Sequence, residues 1–206
     1  MLQCRREVLA VLAVLGVAFV APGVSSGQDT AAGAFLESLT HDVFTKLDDT
    51  SLSQTEKERD LRNLFRQNFD TPAISRFVLG KHWRGASTAE RQDFVDAFEE
   101  MNTRQFLAMV GEFSEEMFSV VKVQQDAAKP SLSLVSTKIV QSEGEPISAV
   151  WRIRNNDGHY KILDIVVEGV SMAITLRHEY GTVVKSDGVD GLIAIMREKN
   201  AELATQ

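Results

Sequence analysis

The stretch Gly169-Val170-Ser171-Met172-Ala173 follows a strand pattern and precedes a helix pattern. That is the setting of a nucleophile elbow, where a tight strand-to-helix turn presents a serine hydroxyl for acyl transfer. Such a serine needs a histidine to take its proton and an acid to orient that histidine. Here His178 precedes Asp187 and Asp190, and it falls on the same expected helix as Ser171. The plainer role for Ser171 is to cap the helix that follows a glycine turn. A small serine esterase using Ser171 stays open as the minor alternative. Tyr160 and Asp164 form a second candidate, because uninterrupted alternation puts residues four apart on one face of a strand, as an acid/base pair requires. The four histidines, His41, His82, His159 and His178, are nowhere three or four residues apart, so no helical metal pair exists. Gly80 and Gly85 are not followed by the Gly-Lys-Ser/Thr of a phosphate loop. The expectation is no catalytic residue, no metal and no cofactor.

Soft apolar side chains are abundant instead. The chain has 11 Phe and 6 Met, many of them in its first half. Stripes of Phe and Met usually build a packed core. They can also wall a cavity for a flexible apolar ligand, because methionine adapts to irregular shapes.

The elements that would position these residues can be read from periodicity. Phe35, Leu36, Leu39, Val43, Phe44 and Leu47 recur at three- and four-residue steps and predict a helix over 34–47. A turn at 51–57 leads to a second helix with Leu61, Leu64, Phe65 and Phe69. Pro72 opens a third, as proline suits a first helical turn. Gly80 and Gly85 then bracket Trp83, and Ser87-Thr88-Ala89-Glu90 reads as a capping box. The helix after it carries Phe94, Val95, Phe98, Met101, Phe106, Leu107, Met109 and Val110. It runs to about Glu112 or breaks near Asn102-Thr103.

From about Met117 the period changes to two. Strands are expected at 117–126, 132–141, 147–154 and 159–167, with Asn155-Asn156-Asp157-Gly158 as a hairpin turn. Helices resume at Met172–Val184 and Asp190–Leu203, separated by a turn at Asp187-Gly188. Long helices with an antiparallel, curved sheet make an α+β fold.

The N-terminus reads differently. Arg5 and Arg6 precede 14 residues, Val8–Ala21, that are apolar apart from Gly16. That run falls short of the roughly 20 residues a membrane span needs and suits a secretory signal peptide. Residues 1–27 are therefore expected to be a cleaved signal, and 28–206 a single domain outside the cytoplasm. Cys4, the only cysteine, would leave with it. The formal charge is −7. Arg5, Arg6 and Glu7 contribute +1, leaving −8 for the mature chain. That balance disfavours nucleic acid, whose phosphates need a basic patch.

The run FDTPAISRFVLGKHWRGASTAERQDFVDAFEEM (69–101) closely resembles the MlaC, or toluene-tolerance, family of periplasmic phospholipid-binding proteins. YKILDIVVEGVSM (160–172), LRHEY (176–180) and LIAIMREK (192–199) agree in order, and HpnM-like, hopanoid-associated relatives share the pattern. The resemblance implies an NTF2- or cystatin-like curved sheet wrapped by helices, with an apolar cavity between them. It implies a shuttle with phospholipid or another acyl lipid as cargo, and the chain is expected to be a monomer. The implied partners are the lipid-binding subunit of an inner-membrane ABC transporter and an outer-membrane lipoprotein–porin complex. On this reading the cavity wall is expected from Phe98, Met101, Phe106, Met109 and Val110 on the helix, and from Trp151, Ile153, Val166, Val170 and Met172 on the sheet side. Trp83 is expected to pack at the Gly80–Glu90 corner without touching ligand.

Overall fold

In the computed structural model, residues 26–110, 113–141 and 143–204 are described. The expected signal peptide lies almost wholly outside them. Among the described residues no helix is long and apolar enough to cross a membrane.

The first half is helical: α1 (Ser26–Asp48), α2 (Gln54–Asn68), α3 (Thr71–Leu79), the short α4 (His82–Gly85) and α5 (Thr88–Val110). Their boundaries follow from local chemistry. Ser53 and Glu56 form a reciprocal capping box at the start of α2. Asp70 caps α3, accepting from the Ala73 amide at 3.1 Å, and Pro72 sits in the first turn. The predicted box at α5 is present: Ser87 N donates to Glu90 Oε2 at 2.6 Å and Glu90 N to Ser87 Oγ at 3.1 Å. Of the two sequence expectations for α5, the unbroken one holds. Asn102 continues the helix and turns its amide back to the Phe98 carbonyl at 2.7 Å.

The corner between α3 and α5 is held by two arginines. Gly80 ends α3 with φ of 56°, a conformation that glycine adopts without steric cost. The guanidinium of Arg177 fills the space a Cβ would take there, donates to the Phe77 carbonyl at 2.9 Å and stacks over the Phe77 ring. Arg91 donates to the Trp83 carbonyl at 2.8 Å and lies over its indole. Trp83 itself packs against the helical core.

Five antiparallel strands follow in sequential order: β1 (Phe118–Gln125), β2 (Leu132–Ile139), β3 (Ile147–Asn156), β4 (His159–Val167) and β5 (Val170–Ser171). Asp157 and Gly158, both at positive φ, make the tight β3–β4 turn that Asn155-Asn156-Asp157-Gly158 predicted. Register shifts at Val120/Lys122 and at Arg152/Ile153 mark bulges, which bend strands and increase their twist. The sheet is curved and unclosed. The last helix, α6 (Met172–Leu203), is interrupted at Gly188, as the predicted turn requires.

Among the described residues three apolar clusters hold these elements together. Val78 and Leu79 of α3, Phe94, Phe98 and Met101 of α5, and Tyr180, Leu192 and Met196 of α6 join these helices into one buried core. Ala32, Leu36, Val135, Ile153 and Ile162 pack α1 onto the inner face of the sheet. Val43, Phe44, Leu61 and Val110 bring together α1, α2 and the end of α5.

Candidate functional site

The second and third clusters do not meet completely. Between them lies a cavity of about 290 Å³. Leu36, Leu39, Val43 and Phe44 of α1 form one wall, and Leu64 and Phe65 of α2 with Phe69 form another. Phe106 and Val110 come from the last turns of α5, and Phe113 and Ser114 from the chain leading to β1. The sheet supplies its inner face as cross-strand pairs. Phe118 pairs with Ile139 and Ile139 with Ile147; Ala149 pairs with Val167 and Trp151 with Ile165. Facing pairs present neighbouring side chains on one surface, so this register lays down a continuous apolar floor. Met172, at the start of α6, completes the lining.

The site is electrically quiet. Among the described residues no Asp, Glu, Lys, Arg or His lines it, and the polar lining residues among them are Thr40 and Ser114. Both hydroxyls have partners. Thr40 donates to the Leu36 carbonyl at 2.9 Å. Ser114 bonds the Glu116 carboxylate and holds that carboxyl below its ordinary pKa. The indole N–H of Trp151 donates to Thr137 Oγ1 at 2.9 Å, and that hydroxyl donates to the Ala149 carbonyl. Among the described residues this wall presents hydrocarbon, and its hydroxyls and indole N–H are all paired. It offers a dry place for an apolar body.

Of the ten residues expected to form a wall, Phe106, Val110, Trp151 and Met172 line this cavity. The side chain of Met109 lies outside the described residues. Phe98 and Met101 stand elsewhere, about one to three turns earlier on α5. The rings of Phe94, Phe98 and Tyr180 lie 5.8–6.3 Å apart there, and α6 closes over them. Burial pushes the Tyr180 phenol's pKa upward. Ile153 does share the face of Trp151, but it sits where α1 packs directly on the sheet against Leu36, Val135 and Ile162. Val170 projects outward, 53% exposed.

Val166 pairs with Val150 and so faces away from the cavity, for a specific reason. Ile162 pairs with Ile153, yet Asp164 pairs with Arg152, leaving Leu163 as the extra residue of a bulge. Beyond that bulge Ile165 and Val167 point inward, and Val166 points out. The same bulge undoes the Tyr160–Asp164 pair. Tyr160 stacks on Phe35 of α1 at 5.5 Å, on the inner side. Asp164 lies on the other face, buried under the start of α6.

Ser171 has the capping role. Its hydroxyl donates to Asp164 Oδ2 at 2.6 Å and accepts from the Ile174 amide at 3.1 Å. Asp164 Oδ1 accepts from the Ala173 amide at 3.0 Å, so one carboxylate and one hydroxyl satisfy two N-terminal donors of α6. Of the histidines, His41 pairs with Glu115 at 3.1 Å on the surface. Among the described residues no three His, Cys, Asp or Glu side chains stand close enough to hold a metal ion.

The missed wall residues come mostly from α1, α2 and the inner sheet face. Their helical steps and the Ile147-Ala149-Trp151 alternation were visible, but not the fact that these faces enclose one space.

Comparison with known proteins agrees with this architecture. The family model described as MlaC protein matches residues 37–198. The intermembrane phospholipid transport system binding protein MlaC of Haemophilus influenzae is 23% identical over 128 residues. That alignment covers 61% of this chain and 59% of the relative's length. A phospholipid-binding protein from Ralstonia solanacearum, solved in complex with a phospholipid at 1.53 Å, superposes with a TM-score of 0.69. It is 21% identical, and the match covers 84% of this chain and 98% of that one, so the two share a fold. With a family model spanning most of its length on top of the expected fold, the chain belongs to the MlaC family.

Proposed function

We propose that this chain is a periplasmic lipid carrier that takes the acyl chains of a phospholipid into the cavity between α1, α2, the end of α5 and the inner face of the sheet. The observation that carries this reading is the lining itself: among the described residues it is apolar on every wall, without a charged group, its two hydroxyls already bonded. Membership in the MlaC family supports it, as do the phospholipid named for the Ralstonia solanacearum protein and the transport system named for the Haemophilus influenzae relative.

The physics of the task asks for such a lining. Two acyl chains of about 15 methylenes, at about 0.8 kcal/mol per CH₂, lose about 24 kcal/mol on exposure to water. A dry cavity cancels that loss for each methylene it encloses. A bilayer provides a similar environment, so loading and unloading stay near balance and partner contacts can tip them. The partners in this reading are the lipid-binding subunit of an inner-membrane ABC transporter and an outer-membrane lipoprotein–porin complex. No nucleophile or cofactor takes part.

Native mass spectrometry of the purified protein, followed by organic extraction, tests the proposal. Phospholipid is the expected cargo. A hopanoid in its place would assign the chain to the hopanoid-associated branch. Protein that carries no lipid, and takes none up from phospholipid vesicles, would refute the carrier reading.

A further inference from the structure

A second hollow, of about 320 Å³, lies on the opposite side of the sheet, between α3 and the outer faces of β3 and β4. Three cationic side chains line it, Lys129, Arg152 and Arg154, together with one carboxylate, Asp164. The carboxylate is already engaged by the Ser171 hydroxyl and the Ala173 amide. Arg152 approaches it only to 3.8 Å, beyond hydrogen-bond reach, and leaves its own donors available. Arg154 gives one nitrogen to Asp70, while its Nε is buried without an acceptor. Lys129 is exposed on the turn before β2 and forms no ion pair among the described residues. Surplus positive charge in a cleft stands out in a chain of net charge −7.

The remaining walls are hydrocarbon: Ile74 and Phe77 of α3, Leu132 and Leu163. Phe77 is 43% exposed, its ring held in place beneath the Arg177 guanidinium. Planar guanidinium groups match carboxylate and phosphate oxygens, and the apolar walls match a short hydrocarbon body. The volume is at the low end of small-molecule sites. We propose that this cleft is a separate binding site for a carboxylate or phosphate group carried on a short apolar body. Arg152 and Lys129 contact the anion, and Ile74 and Phe77 cover the apolar part. Because Arg152 and Trp151 point to opposite faces of β3, the site does not depend on what fills the cavity.

Isoleucine methyl NMR of the full protein separates the two places. Ile74 reports the cleft, whereas Ile139, Ile147 and Ile165 report the cavity. Titration with octanoate and with octyl phosphate should shift Ile74 saturably for at least one of them. Octanol and inorganic phosphate at equal concentration should bind at least about ten-fold more weakly, since each lacks one half of the recognised chemistry. Arg152→Gln and the surface variant Lys129→Gln should each weaken binding roughly five-fold or more, the loss of one charge-assisted contact. Tighter binding of octyl phosphate identifies a phosphate site, and tighter binding of octanoate a carboxylate site. The proposal is overturned if Ile74 stays still, if octanol moves it equally, or if both variants bind as the parent does.

Discussion

Ile162 and Asp164 stand two residues apart on β4 and face opposite sides of the sheet, Ile162 opposite Ile153 and Asp164 opposite Arg152. The single bulged residue between them, Leu163, divides the strand's labour. Before it, Tyr160 and Ile162 pack under α1. After it, Ile165 and Val167 line the cavity, while Asp164 reaches across to anchor the start of α6.

That division can be checked with two neighbouring substitutions. Ile165→Asp places a charge on the cavity floor, where an unpaired carboxylate is strongly disfavoured, and should abolish co-purifying lipid. Val166→Asp points to the other face and should leave lipid per folded protein unchanged. Loss of cargo in Val166→Asp with retention in Ile165→Asp, each with native circular dichroism, would put the floor on the wrong side.

The two halves of α5 should separate in the same way. Phe98 is 2% exposed among Phe94, Tyr180 and α6. Phe98→Ala should lower unfolding stability in urea by about 3–5 kcal/mol. It should leave the cargo of the remaining folded protein intact. Phe106→Asp, at the cavity wall, should lose cargo.

Ser171→Ala removes the cap of α6 and the hydroxyl that bonds the buried Asp164. A stability loss of about 1–2 kcal/mol is expected. Hydrolysis of a chromogenic short-chain ester should be at background for the parent and the variant alike. Turnover by the parent that vanishes in a folded Ser171→Ala variant would revive the esterase alternative.

Acid should loosen helix starts. Hydrogen bonds from Ser53 and from Ser87 hold the Glu56 and Glu90 carboxyls below their ordinary 4.5. The unfolded state then binds these protons more readily than the folded one. The stabilisation is present above the ordinary value and fades as pH falls through the lowered one. Replacing both by Gln keeps a capping side chain but removes the titration. The double variant should show a shallower fall in unfolding free energy from about pH 5 to about pH 3. An identical slope in parent and variant would show that these carboxyls are not linked to folding.

Much of the fold could be read from the residues. The capping box at Ser87–Glu90, the Ser171 cap and the Asp157-Gly158 turn are local agreements between a side chain and backbone a few positions away, and the Ser53–Glu56 box and Asp70 cap that the structure adds are of the same kind. Such agreements do not depend on distant parts of the chain. The site was legible only in part. Phe98 and Phe106 are both apolar, both aromatic and eight residues apart on one helix, and their pattern is the same whether the partner is packed protein or empty space.

The sequence by itself determined the order and type of the main elements and several of their boundaries, because short-range hydrogen bonding and periodicity specify these, and its motifs carried the resemblance to the family. The start of α1 at Ser26, eight residues before the expected 34, the short α4 and the two-residue β5 came only with the structure. The tertiary structure alone decided which apolar faces close on one another and which stand apart. It set α6 against the first half of α5, leaving no room at Phe98, and held α1 and α2 away from the floor beside Trp151. It also chose the face of β4 after Ile162. In Ile162-Leu163-Asp164-Ile165-Val166-Val167, hydrophobicity falls on both sides of the strand, and only pairing with β3 reveals that Leu163 is the extra residue. Whether a space exists is a matter of distance between elements, which hydrophobic pattern does not encode.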